Sequence, residues 1–189
     1  MRMPPDAILR PALIGTLAAW MALVVASGAF AAISFPAVRE LSPLVPSMPV
    51  MSESHWKVVA GVPAQRNFRL VQAAGWALGI GSVLLALGCR GMRGPLAAVQ
   101  WISHATAIAL LAATQFIVMG PLDRLGFDLH EAMRRGDLEA SLAIDRDFTA
   151  IHRLATPMMS AMLVALLLVA VAGLMRAPRP AAADTRSAP

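Results

Sequence analysis

The sequence predicts an all-α protein, a four-helix transmembrane bundle. Hydrophobic residues make up 58% of the 189 residues, charged residues only 14%, and mean hydropathy is +0.65. A soluble domain carries roughly 25% charged residues. Four intervals without Asp, Glu, Lys or Arg are 28, 20, 29 and 22 residues long. Each is long enough for a helix to cross a bilayer, which takes about 20 apolar residues. The alternating pattern of a membrane β-barrel is absent.

The first two predicted spans cover residues 11–35 and 70–89. Pro36 follows the first span and is expected to close it. An alternative for the first span is a cleaved signal peptide, since Ala29 and Ala31 form a small-residue cleavage pattern. A signal peptide has an apolar core of only about 7–15 residues. The longer apolar run here favours a retained helix.

The third and fourth predicted spans cover residues 95–120 and 156–175. Gly94 precedes the third span, and Pro121 follows it. Pro157 is typical of the first position of a helix, with Thr156 as its cap. The alternative is a fourth helix that begins earlier, which Pro157 would then kink.

Arginine placement predicts the orientation. The termini and the short second loop carry seven Arg and the whole net charge of +5, whereas the two long loops carry nine basic and nine acidic residues. Positive flanks favour the cytoplasmic side. We therefore expect a cytoplasmic segment 1–10, a transmembrane domain 11–175 and a disordered cytoplasmic tail 177–189. Fifteen Arg against one Lys suggest a bacterial inner membrane, and no nucleic-acid partner is expected.

The two halves of the sequence contain similar motifs. Pro-x-x-Arg ends at Arg39 after the first span and at Arg124 after the third, and Phe-x-x-x-(Gln/His) ends at Gln72 and at His152. These matches raise the hypothesis of two parallel helical-hairpin repeats. The proline-rich loop 36–69 is expected to be irregular. In the other long loop, Asp137 is expected to cap an amphipathic helix.

Six polar residues are candidates for binding a ligand or partner near the outer helix ends, and no residue is assigned a catalytic role. The candidates are His152, Gln72, Gln115, His104, Arg39 and Arg124. No Asp or Glu lies inside a span, which argues against a proton pump. His104 is the only ionisable residue in mid-span and shares a helical stripe with Gln115. A hydrogen bond from His104 to a backbone carbonyl or a serine is the structural alternative to a ligand role.

Metal and cofactor sites have weaker support. Met48, Met51 and His55 are candidate ligands for a soft metal such as copper(I). A haem held by two histidines would need a partner at the depth of His104, and the other three histidines lie at or beyond the outer membrane edge. We therefore expect no cofactor. The Gly75-x-x-x-Gly79 pattern predicts a close helix contact within the bundle, with a homo-oligomer as the alternative.

Phe148-x-x-x-His152, followed directly by the last span, resembles the closing motif of a small four-helix membrane family of unknown function that includes animal transmembrane protein 205. Further matching residues lie in the first loop: Phe35-Pro36, His55-Trp56, Ala60-Gly61 and Phe68. The family often has Ser and Asn after the histidine, where this chain has Ala155 and Met159. The resemblance implies a multi-pass membrane protein without an established activity.

A second resemblance is to the anthrone-oxygenase-like membrane family. It rests on the sequence Pro-Leu-Asp-Arg-Leu over residues 121–125 and on the aromatic–histidine pair before the last span. That family usually has Asn where Asp123 stands, and Arg where Ala155 stands. This resemblance implies a cofactor-free membrane oxygenase that uses His152 and Asp123.

The preferred interpretation is a multi-pass integral membrane protein that binds a partner or a small ligand at the outer ends of its helices. Its expected partners are the lipid bilayer and either a second copy or another membrane protein. The oxygenase is the alternative function, and a transporter of small molecules or metal ions is the third.

Overall fold

A computed structural model describes residues 6–89 and 94–175, and all of the regular structure in these ranges is helical. The helices are α1 (Asp6–Glu40), α2 (His55–Gly88), α3 (Pro95–Ala113), α4 (Gly120–Arg135) and α5 (Leu138–Met175). A π-helical segment, Thr114–Met119, joins α3 to α4 without a break. These elements form four helical rods, each long and apolar enough to cross a membrane. The prediction of an all-α four-helix bundle is confirmed. The predicted tail 177–189 lies outside the described residues.

The rods are much longer than the bilayer is thick. Helix α5 has 38 residues, which is about 57 Å at 1.5 Å per residue. The hydrocarbon core takes up only about 30 Å of this length. The helices therefore continue beyond the predicted spans. Their ends on the side of the α1–α2 and α4–α5 connections build a second helical layer, the outer layer.

The prediction of an irregular first loop is wrong. Helix α1 runs through Pro36 to Glu40, and α2 begins at His55 with Pro63 inside it. Only residues 41–51 and a short 3-10 turn separate the two helices. A proline removes a single backbone hydrogen bond, and packing against neighbouring helices compensates for that loss.

Helix α5 also begins earlier than its proline predicts. Pro157 lies in the interior of α5, so its assignment to the first helical position is wrong and the alternative of an earlier start is confirmed. The true start is capped by Asp137, whose Oδ1 accepts the backbone N–H of Ala140 at 3.0 Å. Gly136, with φ of 74°, ends α4 in the left-handed conformation that glycine favours.

The centre of the bundle is built on a glycine face of α2. Trp20 of α1 is fully buried there. A Cβ atom at Gly75 would lie 3.4 Å from Trp20 Nε1, and one at Gly79 would lie 3.0 Å from Trp20 Cη2. The predicted close contact within the bundle is therefore present. It is made by the indole ring of α1 together with Leu111 and Ile108 of α3, whose Cδ1 atoms would lie 3.2 and 2.7 Å from the two Cβ positions.

A separate small core holds the outer layer together. Met48, Leu129 and Met133 are buried in it, and Val58 and Ile144 pack against them. In contrast, many large apolar residues along the rods are exposed, as expected for a lipid-facing surface. Examples are Ile80, Leu84, Leu87, Ile102, Phe116, Leu167, Leu168 and Leu174.

We expect Gly79→Ala to lower the free energy of unfolding by about 1–3 kcal/mol, because the added methyl group would press on Cδ1 of Ile108 and on the rigid ring of Trp20. Gly81→Ala is the matched control, since nothing lies within 4 Å of a Cβ there. Alanine favours a helix more than glycine does, so the control should be neutral or slightly stabilising. Thermal unfolding in detergent measures both variants. Equal melting temperatures would contradict the role given to the glycine face.

Candidate functional site

A cavity of about 390 Å³ opens in the outer layer, between the outer ends of α1, α2, α4 and α5. This volume lies in the range of small-molecule pockets, about 300–1,000 Å³. Four phenylalanines line it, one from each of these helices: Phe35, Phe68, Phe127 and Phe148. Because a phenylalanine cannot hydrogen-bond, these walls suit an apolar or aromatic ligand.

His152 lies at the aromatic wall of this outer cavity. Its ring stacks on Phe148, with centroids 6.0 Å apart and planes 9° apart, because residues four apart share one face of α5. The ring of Phe35, from α1, meets His152 edge-on at 6.2 Å. The Phe148-x-x-x-His152 motif thus sets the orientation of the imidazole ring, and Phe35 of α1 packs against another side of it.

Asp123 lines the same cavity from α4. Its Oδ1 accepts the side-chain amide of Gln65 at 2.5 Å, and its Oδ2 accepts Arg69 Nη2 at 2.7 Å and Nε at 3.1 Å. Gln65 and Arg69 lie four residues apart on α2, so they reach the carboxylate together. Asp123 therefore connects α2 to α4, and both of its oxygens are occupied.

A second ion pair lies beside the cavity. Lys57 Nζ donates to both carboxylate oxygens of Asp145, at 2.6 and 2.7 Å, and links α2 to α5. Both side chains are about three-quarters buried. The sequence did not reveal either pair, because partners that lie 54 and 88 residues apart leave no local spacing signal.

Beneath the outer cavity lies an inner chamber of about 60 Å³. The two spaces have four lining residues in common, Phe68, Met119, Leu122 and His152, so they meet at this level of the bundle. Most of the chamber wall is apolar. Its polar side chains come from α1, α2, the π-helical segment and α5: Trp20, Gln72, Thr114 and His152.

Two polar atoms of the inner chamber have no hydrogen-bond partner. They are the indole Nε1 of Trp20, a donor, and the side-chain Oε1 of Gln72, an acceptor. Trp20 is fully buried, and Gln72 is 8% exposed. Buried polar atoms are normally paired. Two unpaired atoms of opposite hydrogen-bonding character, on the wall of one small space, mark it as a place for a polar group. Gln72 was among the candidates from the sequence, but Trp20 was not. A tryptophan in the middle of a span is normally interpreted as part of the hydrophobic core.

Three other candidates lie elsewhere on the outer layer. Gln115 and Arg124 line a shallow depression with Asp128 and Asp147, which has no lining residue in common with the outer cavity. Gln115 is only half-buried, because it lies at the edge of the buried face of its helix. The guanidinium of Arg39 lies 5.8 Å from the ring centroid of Trp56, a cation–π contact.

His104 makes a hydrogen bond to a serine, the structural alternative to a ligand role. It is 1% exposed, and its Nε2 lies 3.2 Å from Ser82 Oγ of α2. It lines neither the outer cavity nor the inner chamber. The interaction therefore joins α2 to α3 within the bundle.

The candidate copper ligands His55 and Met48 make contacts that hold the first loop. His55 is buried, its Nδ1 accepts the backbone N–H of Val45 at 3.0 Å, and its Nε2 donates to the carbonyl of Val50 at 3.1 Å. A metal would need one of these nitrogens, and both are occupied. Met48 packs in the outer core. Over residues 6–89 and 94–175, no three His, Cys, Asp or Glu side chains group as metal ligands would.

No protein-family model matches this chain, and neither a curated protein nor a solved structure shows significant similarity to it.

Proposed function

We propose that this protein binds a small, mostly apolar ligand in the outer cavity, as a multi-pass protein of a bacterial inner membrane. The observation that carries the proposal is the aromatic cavity itself, in which His152 is held between Phe148 and Phe35. Its position just outside the predicted spans would let a ligand enter from water or from the membrane interface. The resemblance to the family of unknown function stays a prediction and is compatible with such a role.

Filling the cavity should abolish binding. A Cβ atom at Gly126, which lines the cavity, would lie 3.9 Å from the ring of Phe148, so a larger side chain there extends into the space. We expect Gly126→Leu to weaken the binding of hexylbenzene at least tenfold, measured by tryptophan fluorescence in lipid nanodiscs. Gly81→Leu, which adds the same side chain in open surroundings, is the control.

Two results would decide against the proposal. One is that hexylbenzene does not saturate any site on the wild-type protein. The other is that it binds Gly126→Leu as tightly as the wild type. Native mass spectrometry of the wild-type protein, purified without added ligand, would show in addition which molecule occupies the cavity.

The proposed orientation places both termini in the cytoplasm and the cavity on the opposite side of the membrane. Its basis is the net charge of +5 on the termini and short loop, against zero on the long loops. We expect green fluorescent protein fused after Pro189 to fluoresce, and alkaline phosphatase inserted after Gly136 to be active. An active phosphatase after Pro189 would reverse the orientation.

The cofactor-free oxygenase is the second candidate, because His152 and Asp123 do line one cavity. Its weakness is that Gln65 and Arg69 already contact both oxygens of Asp123, so a reacting group would have to displace one of these contacts to reach the carboxylate. If the protein is an oxygenase, it will oxidise an anthrone in air and lose this activity in His152→Ala. Oxygen-electrode measurements check this, and no uptake above buffer would reject the candidate.

The transporter hypothesis has the least support. It requires a polar path past His104, and that residue is buried against Ser82 and close to Trp101. None of the cavities described above reaches it.

A further inference from the structure

We infer that the inner chamber recognises a hydroxyl group, so that the ligand is a neutral alcohol or phenol whose apolar part fills the outer cavity. This inference rests on the proposed function and adds the chemical class of the ligand. It is carried by the unpaired indole N–H of Trp20 and the unpaired side-chain oxygen of Gln72.

The position of the Trp20 ring places its Nε1 edge at the end nearer Gln72. The six-membered ring lies against Gly79, and Nε1 lies against Gly75, one turn nearer the outer face. Gln72 comes three residues before Gly75 and so continues the same face of α2. The donor edge of the indole is therefore the edge nearer Gln72, and both residues line the inner chamber.

The hydroxyl group of Thr114, which also lines the chamber, already makes a hydrogen bond. Thr114 Oγ1 donates to the carbonyl of Leu110 at 2.8 Å, within its own helix. The buried chamber atoms without a partner are thus one donor, Trp20 Nε1, and one acceptor, Gln72 Oε1. His152 lies at the level where the chamber meets the outer cavity.

A hydroxyl group is the smallest group that satisfies both atoms at once. Its oxygen accepts the N–H of Trp20, and its hydrogen is donated to the oxygen of Gln72. A carbonyl would satisfy only the indole. An ammonium group would bring a charge into an apolar chamber inside the membrane, which is unfavourable. The chamber volume of about 60 Å³ admits a hydroxyl and a few neighbouring atoms, so the rest of the molecule must lie in the outer cavity.

The test compares two probes that differ by one hydroxyl group, 4-hexylphenol and hexylbenzene. Both are titrated into the full-length protein in nanodiscs, and the ratio of their affinities is measured for each variant, so that unspecific partitioning into lipid largely cancels. We expect the wild type to prefer the phenol about tenfold or more. Gln72→Leu and Trp20→Phe should each remove most of this preference and leave the affinity for hexylbenzene within a few-fold of wild type. Gln115→Leu, outside both cavities, should keep the full preference.

Each outcome separates the inference from the proposed function. Equal affinity of the wild type for the two probes would overturn the hydroxyl site and leave the apolar cavity intact. A preference that survives in both Gln72→Leu and Trp20→Phe would also overturn it, and would indicate that the hydroxyl group is recognised elsewhere. If neither probe binds at all, the proposed function itself fails. Gln72→Leu keeps the test valid should Trp20→Phe not fold, because it leaves the central ring in place.

Discussion

The contact between Trp20 and the glycine face of α2 determines how the rest of the bundle is arranged. In lipid, helices gain little from burying apolar surface, so close packing has to hold them together. The absence of side chains at Gly75 and Gly79 lets the largest side chain of α1 lie flat against α2. The ring then occupies the bundle centre, with its N–H edge at the level of the inner chamber. Packing and the polar character of the chamber thus come from one interaction.

The outer layer depends on a different principle, because charged side chains take part in its contacts. There, a small core around Met133 is supplemented by two ion pairs that join α2 to α4 and to α5. Ion pairs exposed to water contribute little to stability. The pair of Lys57 and Asp145 is mostly buried, and Lys57 donates a hydrogen bond to each carboxylate oxygen of Asp145. These links join three of the helices that line the cavity. The result is a mostly apolar space with charged edges.

The sequence predicted the helices well and their ends poorly. Charge-free intervals located all four rods, since the bilayer imposes length and composition directly. Prolines misled the boundaries at Pro36 and Pro157, because a proline ends a helix only when no tertiary packing offsets its lost hydrogen bond. His152 and Gln72 could be found, since they are polar residues at span edges. The partners of Asp123, and the role of Trp20, depend on which helices become neighbours, and no local pattern in one sequence encodes that.

The unpaired atoms of the inner chamber have an energetic consequence. A buried donor or acceptor without a partner costs about 1–3 kcal/mol, and leucine at Gln72 or phenylalanine at Trp20 would avoid this cost. While neither atom has a partner, the bundle is thus less stable than its packing alone would allow. A hydroxyl that pairs both atoms recovers the loss only in the bound state, so the gain adds directly to affinity. By linkage, the same ligand stabilises the fold in proportion to its occupancy. Recognition and stability are therefore coupled through Trp20, which both packs the bundle centre and presents the donor.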